Sequence, residues 1–104
     1  MKVLDSLVEM VRVVHALAGK VARHDRDLAQ QMKRASTSAA LNGSEGLYAK
    51  AGKRRSRLED AVNSARETLM ALRIAEACGY LPAGGAAEGA MLEAGRDGRA
   101  RARV

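Results

Sequence analysis

Phenylalanine and tryptophan are absent from this chain of 104 residues, and only Tyr48 and Tyr80 supply phenol rings. A core without large aromatic side chains has to be built from Leu, Val, Ile, Met and Ala. Those residues suit closely packed helices better than a sheet sandwich, which draws on β-branched and aromatic side chains. Proline occurs once, as Pro82, so no helix is broken by one before that point. Cysteine also occurs once, as Cys78, which excludes an internal disulfide framework. Joined by only two histidines, it falls short of a four-ligand zinc set. Long apolar runs are missing as well. Asp5, Glu9 and Arg12 interrupt the first segment too early for a signal peptide or a membrane span, so the cytoplasm is the expected compartment. No internal repeat of useful length is present.

What the chain does have is positive charge, with a formal net charge of +6 and a sequence pI near 10.1. Such a balance favours polyanionic partners, and it also serves plain solubility. The basic residues concentrate in two places. Lys50, Lys53, Arg54, Arg55 and Arg57 cluster between two helical segments, and Arg96, Arg99, Arg101 and Arg103 punctuate the end of the sequence. Lys and Arg neutralise phosphates and release counterions, giving affinity without sequence reading. The composition lacks the interleaved aromatics on which single-stranded bases stack. Electrostatic or shape-based engagement of RNA or DNA is therefore the expectation, against the alternative of a solvated charge run at a helix end.

Helical periodicity organises most of the chain. From Val3 to about Ala22, one row holds Leu4, Val8, Val11, His15, Ala18 and Ala22, and a second holds Val3, Leu7, Met10, Val14, Leu17 and Val21. Together they form an apolar arc about half the circumference wide, enough for more than one neighbour. His15 on this arc reads as a hydrogen-bonded core histidine. The polar break 23–27 follows, with His24 solvated and Asp25 or Asp27 able to cap the next helix. That helix is expected from about Asp27 to Ala51, with the inward row Leu28, Met32, Ala35, Ala39, Asn42, Gly46 and Ala49. Gly43 and Gly46 each lower helix propensity by about 1 kcal/mol relative to Ala, a deficit that tertiary packing has to offset.

Gly52 reads as a turn, and a third helix is expected from about Lys53 to Cys78. Its inward row is Leu58, Ala61, Val62, Ala65, Leu69 and Leu72, with Met70, Ile74 and Ala77 as a second apolar patch. Cys78 reads as a small packed apolar residue. Gly79 is placed to cap the helix and Pro82 to stop it. The stretch from Ala86 to Ala94 is long enough for two or three further helical turns, with Met91 and Leu92 as its only large apolar residues. Residues 1–95 thus read as one helical-bundle domain and residues 96–104 as a flexible basic tail.

Two blocks carry a family resemblance. The first runs from Gln31 through Arg34-Ala35, Ser38 and Asn42-Gly43-Ser44-Glu45-Gly46. The second is Asn63-Ser64-Ala65-Arg66-Glu67, with Gly79-Tyr80-Leu81 closing the helix. In order and spacing they resemble the four-helix-bundle family of 23S rRNA intervening-sequence proteins, over about residues 28–81. The resemblance implies an all-α, left-handed up-and-down four-helix bundle that assembles into a ring, typically a pentamer. It further implies kinship in fold with the accessory proteins of diversity-generating retroelements, which bind reverse transcriptase and nucleic acid. The chain departs from the family at Asn63, where glycine is common. Its fourth helix is short and interrupted by Gly89 and Gly95.

The polar residues of these blocks form a stripe. Gln31, Ser38, Asn42 and Glu45 follow one another at spacings of seven, four and three, beside the small-residue row. Buried, each group left unsatisfied costs roughly 1–3 kcal/mol. The expected reading is a structural hydrogen-bond network that fixes register, with Ser64, Glu67 and Tyr80 as partners. Catalysis is not expected. The chain has no Glu-x-x-His motif of a bundle metal site, no Ser/His/Asp set and no phosphate-cradling or dinucleotide-binding glycine loop, so neither metal nor cofactor is implied. Two functions stay open: an oligomeric module that engages RNA or DNA, with a reverse transcriptase or other protein as a further partner, and an oligomeric scaffold without a nucleic-acid role.

Overall fold

The computed structural model describes residues 2–83. Among them it contains three helices and no strand: α1 (Lys2–Val21), α2 (Arg26–Tyr48) and α3 (Ala51–Ala77). The segment from Ala86 to Ala94, the 95/96 boundary and the basic tail lie outside the described residues. The helices run up and down, with α2 in the centre packed against both neighbours.

The connections follow from local chemistry. Asp25 caps α2: its backbone is extended and its carboxylate accepts the Leu28 N–H at 2.9 Å, satisfying one of the orphan donors of a helix start. The second connection differs from the expectation. Gly52 is not the turn but part of the first turn of α3, and α2 ends at Tyr48. Two extended residues, Ala49 and Lys50 (ψ 153° and 156°), suffice to reverse the chain. No left-handed residue is needed there, so a glycine has no advantage. At the far end of α3, one is needed. Gly79 has φ +78°, its N–H reaches the Glu76 carbonyl at 3.0 Å, and the Tyr80 N–H reaches the Ala75 carbonyl at 2.8 Å. This pair of bonds is a Schellman cap. It turns the chain so that Leu81 is buried and the Tyr80 ring stacks on His24, with centroids 5.1 Å apart and planes within 5°. His24 is thus a stacking partner rather than a merely solvated residue. Cys78, expected to pack, is exposed.

The core gathers where the C-terminal part of α1, the N-terminal part of α2 and the C-terminal part of α3 meet. Val14, Val21, Met32 and Leu72 are its largest fully buried apolar side chains, and Ala18, Ala29, Ala71, Ala75 and Leu81 fill between them. The inward face of α3 is rotated from the expected one. Leu72 is inward, but Leu58 and Val62 are 37% and 50% exposed, while Thr68, Ala71 and Ala75 are buried. Hydrophobic periodicity passes over Thr68 because it carries a hydroxyl. That hydroxyl bonds the Ser64 carbonyl of its own helix at 2.9 Å, which removes the burial penalty. Ser36 does the same on α2, bonding the Lys33 carbonyl at 3.1 Å.

The two glycines of α2 mark close approaches. A Cβ on Gly43 would meet Leu7 Cδ1 at 3.3 Å, and one on Gly46 would meet Leu58 Cδ2 at 2.7 Å and Cγ at 2.9 Å. The propensity deficit is therefore offset by packing. Gly46→Ala gains about 1 kcal/mol of helix propensity but drives Leu58 and its helix outward. The expected result is a lower melting temperature by circular dichroism for Gly46→Ala, and a shift near zero for Gly43→Ala, where only the tip of Leu7 has to move.

Candidate nucleic-acid interface

The first three turns of α3 stand clear of the core. Every residue from Ala51 to Asp60 is exposed, and the basic cluster lies in this stretch and in the residue that precedes it. Lys50 forms the N-cap position of α3 without a side-chain cap, and its carbonyl accepts the Arg54 N–H at 2.9 Å, so Lys50 and Arg54 sit one turn apart. Leu7 lies against Gly43, five residues above in α1 and five below in α2 from Lys2 and Tyr48. The antiparallel register therefore brings Lys2 to the same end of the molecule, a contribution that reading the chain linearly does not reveal.

The five cations of the cluster are not equivalent. Arg55 Nε pairs with Glu59 at 3.2 Å along its own helix, with both side chains well exposed. Arg57 Nε pairs with Glu45 of α2 at 3.2 Å, and its Nη1 donates to Asn42 Oδ1 at 3.4 Å. Arg57 is thus turned toward the α2–α3 seam. Lys2, Lys50, Lys53 and Arg54 have no carboxylate partner among the described residues. On α1, Arg12 is held by Glu9, whose hydrogen bond and charge raise the guanidinium pKa above its ordinary value. Arg96, Arg99, Arg101 and Arg103 lie outside the described residues.

Below the cluster runs a polar ladder. Asn42 Nδ2 donates to the Ser38 carbonyl at 3.0 Å and to Ser38 Oγ at 3.1 Å. Ser38 Oγ meets Ser64 Oγ across the seam at 2.9 Å. With Arg57 and Glu45 at the top and the Thr68–Ser64 bond at the base, side chains of α2 and α3 are tied at several levels. Ser38, Asn42, Glu45 and Ser64 are brought together as the sequence stripe suggests. Gln31 and Glu67 are exposed and line a shallow groove beside Ser38 and Ser64 without joining the ladder. Tyr80 belongs to the opposite end, against His24. Arg57 and Thr68 are the members that sequence reasoning left out: Arg57 read as a phosphate contact, and Thr68 falls outside the apolar rows of α3. His15 meets the Thr37 hydroxyl at 3.2 Å, a separate tie between α1 and α2.

Among the described residues no group of three or more His, Cys, Asp or Glu side chains is placed to hold a metal ion. No described helix is long and apolar enough to cross a membrane. Compared with protein-family models, curated proteins and solved structures, the chain matches none.

The ladder sets a graded expectation. Asn42→Ala removes bonds within α2 and leaves Arg57 and Ser38 to re-pair, a loss of about 1 kcal/mol for a half-buried network. Glu45→Ala breaks a solvent-exposed ion pair and costs less, about 0.2–1 kcal/mol. Chemical denaturation of the two variants beside the native protein measures both, with Asn42→Ala the less stable.

Proposed function

We propose that this protein is an oligomeric helical-bundle module that engages RNA or DNA through phosphate contacts at the α2–α3 end. The observation that supports it is the gathering of Lys2, Lys50, Lys53 and Arg54 on one end, clear of the core and without carboxylate partners among the described residues. The Arg-rich segment 96–104 adds a second source of phosphate contacts. In this reading the stretch from Ala86 to Ala94 completes a four-helix bundle as a short fourth helix. The chain then acts as a cytoplasmic relative of the 23S rRNA intervening-sequence proteins, assembled as a ring with a pentamer favoured and able to work beside a reverse transcriptase or other protein. The support for that kinship is the ordered pair of sequence blocks. No catalytic role is part of the proposal.

Fluorescence anisotropy with structured RNA and duplex DNA at several salt concentrations tests the binding. Each phosphate contact contributes about −0.9 to the slope of log K against log salt for duplex DNA. Replacing Lys53 and Arg54 together with Ala is expected to weaken binding to all sequences alike and to flatten the slope by about 2. Arg57→Ala is expected to leave the slope unchanged, because its guanidinium serves the seam. Absence of binding to either nucleic acid at low salt refutes this reading.

The alternative is an oligomeric scaffold with no nucleic-acid role. Its support is the set of large apolar side chains left exposed on α3, namely Leu58, Val62, Met70 and Ile74. Both readings expect self-association. Light scattering coupled to size exclusion is expected to give a multiple of the 11.0 kDa chain mass at tens of micromolar protein, and a monomer mass would remove the assembly from both.

A further inference from the structure

The chain has two phenol rings, and they differ in exposure. Tyr80 is half-buried and stacked on His24 at the core end. Tyr48, the last residue of α2, is 69% exposed, the most of any large apolar side chain among the described residues. It lies at the basic end. Only Ala49 separates it from Lys50, and an extended chain spans about 7 Å over two residues. Lys53 and Arg54 follow within the first turn of α3, and the α1–α2 register puts Lys2 level with Tyr48. Tyr48 keeps most of its surface open to solvent. The cations of that end, Lys2, Lys50, Lys53 and Arg54, have no carboxylate partner among the described residues, and Tyr48 is the one aromatic side chain of the described residues there.

We propose that this end binds an unpaired stretch of nucleic acid, with a base stacked on the Tyr48 ring and the flanking phosphates on Lys50, Lys53 and Arg54. The inference rests on the nucleic-acid reading above and narrows its ligand. Stacking on an aromatic face accepts any base, so it adds affinity without sequence preference. In a duplex both faces of each base are already stacked on neighbours, and only the phosphates remain available. Tyr48 therefore separates unpaired from paired strands, a distinction that the cations alone do not make. Composition argued against single-strand stacking because aromatics are scarce; one ring in the right place is enough for one base.

The test uses the full chain with short oligo-U, oligo-dT and a duplex of matched charge, read by anisotropy at fixed low salt. Tyr48→Ala is expected to weaken binding to the unpaired strands about tenfold, within the range that loss of one base–aromatic stack produces, and to leave duplex binding and the circular dichroism spectrum unchanged. Tyr48→Phe is expected to retain the native affinities. Because the chain has no tryptophan, Tyr48→Trp introduces a single indole whose fluorescence is expected to be quenched when oligo-U or oligo-dT is added. Whichever of the RNA and DNA arms shows the loss identifies the source of the base. If the native chain binds both strands and Tyr48→Ala binds them equally well, or loses duplex binding to the same extent, the stacking site is refuted while the phosphate contacts stand. If the native chain binds none of the three ligands, the stacking site and the reading beneath it fall together.

Discussion

Helices α2 and α3 approach each other across small side chains, and the rest of the arrangement depends on that approach. Ala35, Ala39 and Gly46 are buried on α2 and Thr68, Ala71 and Ala75 on α3, and a Cβ on Gly46 would meet Leu58 of α3. Small residues bury little apolar area each, so the seam draws part of its specificity from hydrogen bonds. The Ser38–Ser64 contact, the Arg57–Asn42 bond and the Arg57–Glu45 pair sit at successive levels along it. A slip of one residue would part these ties and set Leu58 against a position that no longer lacks a Cβ. The seam therefore fixes the rotation of α3, and the rotation decides which side chains are left facing solvent.

The division of the molecule into two ends follows. At one end Val14, Val21, Met32, Leu72 and Leu81 form a packed core, closed by the Gly79 cap and the His24–Tyr80 stack. At the other, the opening turns of α3 carry no buried residue. Burial of apolar area is what holds a small helical domain together, so the second end contributes little to stability and is free to carry charge. Like charges crowded on a packed surface would repel one another; at an exposed end they are screened by solvent and salt. Arg57 links the cluster to the seam, since it belongs by sequence to the first and by contact to the second.

Much of this was legible from residue types. The three helices, a cap at Asp25 or Asp27, the Gly79 cap and the small-residue face of α2 all follow from periodicity and capping chemistry. The face of α3 was not. Leu58 and Val62 look like core residues by hydropathy, yet the close approach of α2 selects Thr68 and Ala71 instead, and a threonine bonded to its own backbone has no signature in a hydrophobic pattern. Gly52 looked like a turn because glycine often is one, but two extended residues reverse this chain without it. The candidate site was legible as a cluster of cations. Which of them are engaged depends on Glu45 and Glu59, and the nearness of Lys2 and Tyr48 depends on helix register, neither of which a linear reading supplies.

The central claim is that a core at one end releases the opening turns of α3 for binding at the other. Residue-resolved amide hydrogen exchange, on the free protein and with an oligonucleotide added, tests it most directly. The account predicts slow exchange in the parts of α1, α2 and α3 around Val14, Met32 and Leu72, rapid exchange over residues 51–60 in the free protein, and slowing there when the oligonucleotide binds. Uniformly slow exchange through residues 51–60 in the free protein, or ligand-induced slowing confined to the His24–Tyr80 end, would contradict it.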